Sequence, residues 1–411
     1  MRILIVSQYF WPESFRINDL VLALVARGHS ITVLTGMPNY PAGRYFPGYG
    51  PFSPAEEDFG GVRVVRVPLV PRGSSRGQLA LNYVSFVLTA SLLGPLRCRR
   101  AFDVIFAYEP SPILVGIPAI VMRRLKRAPL LFWVQDLWPE SLAATGAVTS
   151  SFFLRAVGVL VRFIYRRCDR VLVQSPGFVS RVVAVGADPA RVDYLPNWAE
   201  SLYRPLEVAP DASERGEMPA GFRVIFAGNI GAAQSFETIV EAARRLTDLP
   251  DVHWIIVGDG HRGTWVAEQV RALGLERTFH LLGPRPVEAM PRYLALGDVL
   301  LVTLRRDPIF ELTIPTKLQS YLACGRPIMA ALDGEGARVV EEARAGITCP
   351  AQDPAALADG VRRLHAMSED ERKTLGRNGR AYFEAHFDRE RLVTRVEETM
   401  GAAVTEIKCA S

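Results

Sequence analysis

Short apolar runs alternate with amphipathic segments along this chain of 411 residues, and the alternation starts twice. In the first half, strands are predicted at 2–7, 31–35, 62–67, 103–107, 129–134 and 170–174, with helices near 16–27, 79–100, 113–126, 151–167 and 176–186. After a polar stretch, "EVAPDASERGEMPAG" (207–221), strands follow at 222–227, 252–257, 278–282, 298–303 and 326–331, with helices near 234–247, 264–273, 287–296 and 315–323. Alternation of this kind implies parallel strands covered by helices on both faces. The expected fold class is α/β, two tandem doubly wound Rossmann-like domains. Their expected bounds are 1–205 and 221–387, with a linker at 206–220. Three further helices (354–365, 370–385 and 388–404) have no strands between them, and residues 388–411 are expected to pack back on the first domain. Ligands in such sheets bind beyond the carboxyl ends of the strands, so two such domains are expected to face each other across a cleft. The first strand runs into "QYFWPES" and not G-x-G-x-x-G, which removes the usual dinucleotide turn.

Five cysteines, widely spaced and without a C-x-x-C, suggest neither a disulfide framework nor a zinc site. The opening "RILIVS" lacks a basic leader, so a cytoplasmic location is expected. The net charge of +5 is unevenly distributed. Residues 1–200 hold 22 Lys and Arg against 13 Asp and Glu, and the remainder 26 against 30; within 76–170 the ratio is 13 to 5. These basic residues accompany apolar runs, which suits an anionic membrane surface better than a nucleic-acid groove. Residues 79–96 are apolar over nearly a bilayer-spanning length, yet lie between two strands of one sheet, which argues against a span. "SFFLRAVGVLVRFIYRRCDR" (151–170) sets Arg155, Arg162, Arg166 and Arg167 among large apolar residues, the composition of a helix lying in a membrane interface. A core-facing helix with a solvated basic face is the plainer alternative.

In the second half, the strand "VIFAG" (224–228) runs into "NIGAAQSF", where Gly228 and Gly231 permit close approach of backbone to a ligand before a helix begins. "WIIVGDG" (254–260) is a second strand-to-glycine turn, with Gly258 at its corner. "LVTLRRDPIFELTIPTKLQSYLACGRPI" then supplies Arg305, Arg306, Glu311, Thr316 and Lys317 around a helix start. Anion-binding elements at consecutive strand ends point to a nucleoside diphosphate. His29 and His280 are read as packing residues, and Trp133 as core. Neither a D-x-D nor an H-x-x-x-H offers a metal site.

Over nearly its whole length the chain resembles the retaining glycosyltransferases of family GT4, which have the two-domain GT-B fold. "FAGNIG", "VGDG", "HLLGPRP" and "PTKLQSYLACGRPI" match the donor domain of that family. "FWPESFRINDLVLALVARGHSITVLTG", "WVQDLWPESL" and "VLVQSPGF" match its first domain. Within the family the chain is most similar to bacterial fucosyl- or N-acetylfucosaminyltransferases of colanic-acid and O-antigen synthesis. The resemblance implies transfer of a sugar from a UDP- or GDP-sugar to a lipid-linked glycan, without metal or other cofactor, peripherally attached to the inner face of the plasma membrane. Many relatives carry Glu-x7-Glu, whose second Glu binds the ribose; counting back from Gly325, the two positions here are Leu312 and Ser320, with Glu311 adjacent to the first. Where many carry Arg and Lys for the diphosphate, this chain has Asn229 and Gln234. Ser320 can still exchange a hydrogen bond, though not the stronger charge-assisted one.

The expected donor residues are therefore Gly228, Asn229, Gly231, Gln234, Gly258, Arg285, Arg305, Glu311, Thr316, Lys317 and Ser320. Lys317 is expected to meet the leaving-group charge. Asp136, just past an apolar strand, is expected to orient the acceptor or stabilise positive charge on the sugar; a helix N-cap is its plainer role. Glu13 and Arg16 are expected to contact the acceptor. Two other readings stay open on the residues alone: a nucleotide-sugar 2-epimerase of the same fold, and a degenerate chain that binds nucleotide without turnover.

Overall fold

The computed structural model describes residues 1–73, 75–144 and 150–410. It divides into two compact units, one made of residues 1–195 with 390–411, the other of residues 196–389. The first holds an eight-stranded sheet: β1 (Arg2–Val6), β2 (Ser30–Gly36), β3 (Glu56–Phe59), β4 (Val62–Val67), β5 (Val104–Glu109), β6 (Leu130–Val134), β7 (Arg170–Val173) and β8 (Val192–Tyr194). Its order is β3-β4-β2-β1-β5-β6-β7-β8, parallel except for the β3–β4 pair. Strands β1, β5 and β6 read as continuous apolar runs because both faces are covered, and Ile3 to Val6 are all fully buried. The strand order reverses between β1 and β5, so the crevice where such folds bind ligands lies beyond the carboxyl ends of these strands.

Strand β3 is not anticipated by the periodicity, since "EEDF" is an acidic edge. It holds its place by ion pairs across the ladder, Glu56 with Arg63 (2.6 Å) and Glu57 with Arg66. The helix Arg76–Arg97 lies between β4 and β5 and packs on the sheet through a stripe of every fourth residue. Asn82, Phe86 and Ala90 are fully buried. Gly94 follows, where a Cβ would lie 2.7 Å from Leu34. Asn82 accepts from Gln8 (2.7 Å) and donates to the Val70 carbonyl (2.7 Å). This inward stripe fixes the helix flat on the sheet. The helix Arg389–Ala410 completes the unit with Leu392, Val393, Val396, Met400 and Ala403 buried. Its acidic side pairs Glu390 and Glu397 with Arg27, Glu397 with His29, and Glu406 with Arg170.

The second unit holds six parallel strands: β9 (Phe222–Ala227), β10 (Val252–Val257), β11 (Phe279–Gly283), β12 (Val299–Thr303), β13 (Ile328–Ala331) and β14 (Gly346–Cys349). Their order is β11-β10-β9-β12-β13-β14, with the reversal between β9 and β12. The helix Glu335–Glu342 and β14 extend the sheet beyond the expected last strand. The polar stretch 207–221 is folded against this unit: it forms a short helix, Ser213–Gly216, and buries Val208 and Met218 in one core layer. Glu214 and Glu217 pair with Arg292 (2.5 Å) and Arg285 (2.6 Å).

Candidate active site

In the second unit, the reversal point is built by the loops after β9, β10 and β12 and by the helix Thr316–Cys324. Gly228 and Gly258 have φ of +133° and +144°, which an L side chain rarely adopts. A Cβ on Gly258 would lie 2.0 Å from the Gly228 carbonyl oxygen, so the two turns interlock only as glycines. The Thr303 hydroxyl donates to the Gln234 carbonyl (2.5 Å) and the Arg305 amide to the Ala233 carbonyl (2.8 Å), tying the end of β12 to the 232–234 turn. Tyr321 receives the Ala227 amide (2.9 Å) on its hydroxyl, which fixes the helix against the end of β9. That helix begins at Pro315 with no side chain capping it. Its uncapped amides and dipole therefore suit an anion.

Lys317 gives this arrangement its chemistry. Its stem is partly exposed, but its Nζ is enclosed and has no hydrogen-bond partner among the described residues. The ammonium lies 3.6 Å from the centroid of the Phe226 ring, and a Cβ on Gly228 would sit 3.4 Å from it. Burial pulls its pKa down from 10.5 to about 7. A lysine enclosed beside a glycine turn, with only a ring face for company, is poised for an incoming anion. Ser320, half-buried, follows three residues later on the same helix face.

The structure gathers Gly228, Asn229, Gly231, Gln234, Gly258, Arg305, Lys317 and Ser320 around the ends of β9, β10 and β12 and the start of the helix. Asn229 and Thr316 are exposed, and the Gln234 side-chain oxygen accepts from the Gly231 amide (3.2 Å). Glu311 is exposed on the short helix Pro308–Glu311, its backbone packed against Gly334. Arg306 is held by the Ala351 carbonyl (3.0 Å) and Asp333 (3.4 Å). Arg285, past the end of β11, is engaged by Glu217 and by the Tyr293 hydroxyl (2.9 Å).

In the first unit, Asp136 lies just past β6. It accepts from the Ser141 hydroxyl, and burial pushes its pKa up to about 6. Glu13 is enclosed. Its carboxylate accepts from the amides of Asn39 and Tyr40 (both 2.7 Å) and Phe10 (3.1 Å), binding the loop after β1 to the loop after β2. Burial still pushes its pKa up to about 7 against those three amides. Arg16 is half-buried at the start of the helix Arg16–Ala26. Trp133 is fully buried, its indole N–H donating to the Leu195 carbonyl (3.1 Å), a core role as expected.

Two features escaped the sequence reading. Tyr9 stacks on Phe15 and Tyr40 tilts against both, with centroids 5.3 to 5.4 Å apart, and the Arg72 guanidinium lies 5.3 Å from the Tyr40 ring centre. Glu109, the last residue of β5, is fully buried; one oxygen accepts from the Asp136 amide (3.4 Å) and the other is enclosed without a partner among the described residues. Burial, then the nearby Asp136 charge, push its pKa well above the carboxylate range. The signal was available: an acid closes an otherwise apolar strand at its carboxyl end.

Comparison with known proteins agrees with this geometry. Residues 14–198 match the family model described as glycosyl transferase 4-like domain, and residues 221–367 the model for glycosyl transferases group 1. The chain is 30% identical over 296 residues to the probable glycosyltransferase WbjE of Pseudomonas aeruginosa, covering 69% of this chain and 70% of that one. It is 26% identical over 338 residues to the putative colanic acid biosynthesis glycosyl transferase WcaI of Escherichia coli K12, covering 79% and 82%. Among solved structures, Anabaena Alr3699/HepE in complex with UDP and glucose superposes with a TM-score of 0.68 at 20% identity, over 98% of this chain and 99% of that one. WaaG, a glycosyltransferase involved in lipopolysaccharide biosynthesis, superposes with a TM-score of 0.66 at 15% identity, over 97% and 99%. These likenesses establish the GT-B fold. A relative at 30% identity over more than two thirds of both chains, with the two family-model matches, shows that the chain belongs to the group 1, GT4-like glycosyltransferases and is a glycosyltransferase.

Proposed function

We propose that the chain is a retaining glycosyltransferase of bacterial surface-polysaccharide synthesis. It takes a sugar of the L-fucose or N-acetyl-L-fucosamine class from a nucleoside diphosphate and passes it to a lipid-linked glycan at the cytoplasmic face of the membrane. The observation that carries the donor half of this reading is the enclosed, unpartnered Nζ of Lys317 beside the Gly228 turn. A diphosphate seated there meets the ammonium and the uncapped amides of the helix Thr316–Cys324, which stabilise the charge that grows on the leaving group. Arg305, whose amide is tied to the 232–234 turn and whose guanidinium pairs with Asp307 (3.4 Å), is the second cation assigned to the diphosphate. Ser320 supplies a neutral hydrogen bond to the ribose where relatives use a carboxylate, and Asn229 and Gln234 supply neutral contacts to the phosphates.

Asp136 orients the acceptor hydroxyl or stabilises positive charge on the sugar; Glu13 sets the acceptor loop through its three amides, with Arg16 beside it. The diphosphate itself assists deprotonation of the acceptor during front-face attack, which accounts for retention without a protein nucleophile. The surface-polysaccharide setting is supported by the likeness to the putative colanic acid biosynthesis glycosyl transferase WcaI, and the donor type by the UDP held in the HepE structure; the sugar class and the lipid-linked acceptor rest on the motif resemblance. Attachment to anionic lipid is supported by the basic, apolar helix Ser151–Tyr165, where Phe152 and Val159 are exposed beside Arg155 and Arg162.

The test is calorimetric titration of the protein with UDP and with GDP, first without metal and then with magnesium. Tight binding of one nucleotide that does not need magnesium is expected. Failure of both to bind would overturn the donor assignment and favour a chain whose site has been lost at Ser320, Asn229 and Gln234.

A further inference from the structure

The helix Arg76–Arg97 is apolar on both sides. Its inward stripe of Asn82, Phe86, Ala90 and Gly94 is spent on the sheet. A second stripe, Leu81, Val84, Leu88, Leu92 and Leu96, turns outward, each residue between 49% and 68% exposed. The spacing, three residues and then fours, keeps these five on one face of the helix. By length and composition the helix could cross a membrane, but its inward stripe holds it flat on the sheet, so the outer leucines face whatever lies beside the unit.

The neighbours of this helix share its character. The connections β4 to β5, β5 to β6, β6 to β7 and β7 to β8 all step the same way along the sheet, so right-handed crossovers put their helices on one face. Those helices are Arg76–Arg97, Gly116–Lys126, Ser151–Tyr165 and Pro176–Val185, each packed beside the next. None of the four contains an Asp or a Glu. The opposite face carries the acids: Asp19 on the helix Arg16–Ala26, and Glu390, Glu397 and Glu406 on Arg389–Ala410. On the face of these four helices, exposed Leu125 stands between Arg124 and Lys126, and exposed Arg99 and Arg100 follow the leucine helix. On Ser151–Tyr165, Phe163 is exposed, with the Arg167 guanidinium 3.6 Å from its ring centre.

We propose that this four-helix face is the membrane-docking surface of the chain. The outward leucine stripe of Arg76–Arg97 enters the acyl boundary, and the basic residues beside it contact anionic headgroups. The choice of occupant rests on charge: four helices that hold no acid while keeping arginines among leucines complement an anionic lipid surface, with Glu140 and Asp188 confined to the short helix Glu140–Ala144 and the loop after Pro176–Val185. The same face would set like charges against each other in a symmetric contact with a second copy. Apolar entry and headgroup contact are the two signals that stable anchoring needs. The inference rests on the lipid attachment proposed above and adds the surface that performs it.

The experiment is flotation of the full chain with vesicles of phosphatidylcholine alone and with about one third phosphatidylglycerol. Wild type is compared with Leu88→Gln/Leu92→Gln, with Arg99→Gln/Arg100→Gln, and with Leu22→Gln on the opposite face. Glutamine keeps helix propensity, and all replaced residues are exposed, so melting temperatures are expected to stay near wild type. Binding to the anionic vesicles is expected, lowered about tenfold or more by the double leucine change, several-fold by the double arginine change, and not by Leu22→Gln. The proposal is overturned if wild type floats with neither vesicle or if the leucine double variant floats equally. It is also overturned if sedimentation velocity shows a dimer that this variant dissolves and lipid does not compete. UDP binding measured on the same variants separates the two readings: loss of flotation with UDP binding intact leaves the transferase assignment standing, and the reverse result leaves the docking face standing.

Discussion

Replacing Lys317 by Met should make the protein more stable and worse at holding its donor. Without ligand, the lysine Nζ is enclosed with no hydrogen-bond acceptor, and burial holds its pKa at about 7 against 10.5. At about 1.36 kcal/mol per pH unit, that difference amounts to about 5 kcal/mol against the protonated form. Because the stem is partly exposed, we expect about 2–4 kcal/mol at neutral pH. The folded pKa lies below the unfolded one, so between pH 7 and pH 10.5 the unfolded chain binds more protons and stability rises with pH. Lys317→Met removes this burden: at pH 7.5 its second unit should melt above wild type, with the gap closing toward pH 10.5. At pH 8 only about a tenth of free Lys317 is protonated, whereas a bound diphosphate favours the charged form. UDP, whose last phosphate ionises near pH 6, brings no proton of its own at that pH. Binding should therefore take up about 0.9 proton in wild type and almost none in the variant. Calorimetry in buffers of different ionisation enthalpy reads this directly. Loss of a charge-assisted hydrogen bond should also weaken UDP binding about 10- to 100-fold. Equal proton uptake in the two proteins, or a variant less stable than wild type, would refute the role given to this lysine.

Other outcomes can be checked alongside. Ser320→Ala should raise the donor KM by about 2- to 10-fold, the worth of one neutral hydrogen bond, and leave kcat nearly unchanged; steady-state kinetics decide it. Asp136→Asn should lower kcat by about 10²-fold or more, and the wild-type rate should fall as pH drops through about 6, where Asp136 takes up its proton. Glu109 holds its proton far above the usual carboxylate pKa. Above about pH 4.5 the unfolded chain therefore binds fewer protons than the folded one at this site, and stability falls as pH rises. Glu109→Gln removes that loss, so its melting temperature should exceed wild type by a margin that grows from pH 5 to pH 8. Gly258→Ala, which drives a methyl group to 2.0 Å from the Gly228 carbonyl oxygen at φ +144°, should destabilise the second unit by about 2–4 kcal/mol and abolish UDP binding.

Elements whose interiors are wholly apolar could be read from sequence alone. Strands such as "LLFWV" and "VHWIIV" lie buried on both faces, so hydrophobicity and chain position identify them together. Strand β3 could not be read this way, because an acidic edge strand is stabilised by Arg63 and Arg66 on its partner and not by its own composition. The stretch 207–221 reads as linker by polarity, yet Val208 and Met218 anchor it and its acids find arginines far along the chain. At the donor site, the glycine turns and Lys317 were legible because backbone approach and helix starts have local signatures. What cannot be read locally is that, among the described residues, no acid pairs with Lys317 in the fold, or that Glu109 and Asp136 become neighbours across two strands. Those are facts of packing. Likewise, "LALNYVSFVLTASLLGPL" shows that the helix is apolar, but only the fold shows which half of that surface is left over.

The helix Arg389–Ala410 belongs to the unit that begins the chain, with Arg27 and Glu397 paired across 370 positions. The unit of residues 196–389 is continuous and contains its own sheet and both core layers, so it can complete its fold as soon as it has been synthesised. Its partner cannot. A ribosome must pass through the whole of the second unit before Leu392, Val393, Val396 and Met400 arrive to cover the first. Until then, Arg27, His29 and the apolar surface beneath that helix wait in the solvent, a hydrophobic opening of the kind that chaperones recognise. Excision at residue 195 would make that waiting state permanent, whereas the segment 196–389 is the piece suited to study in isolation.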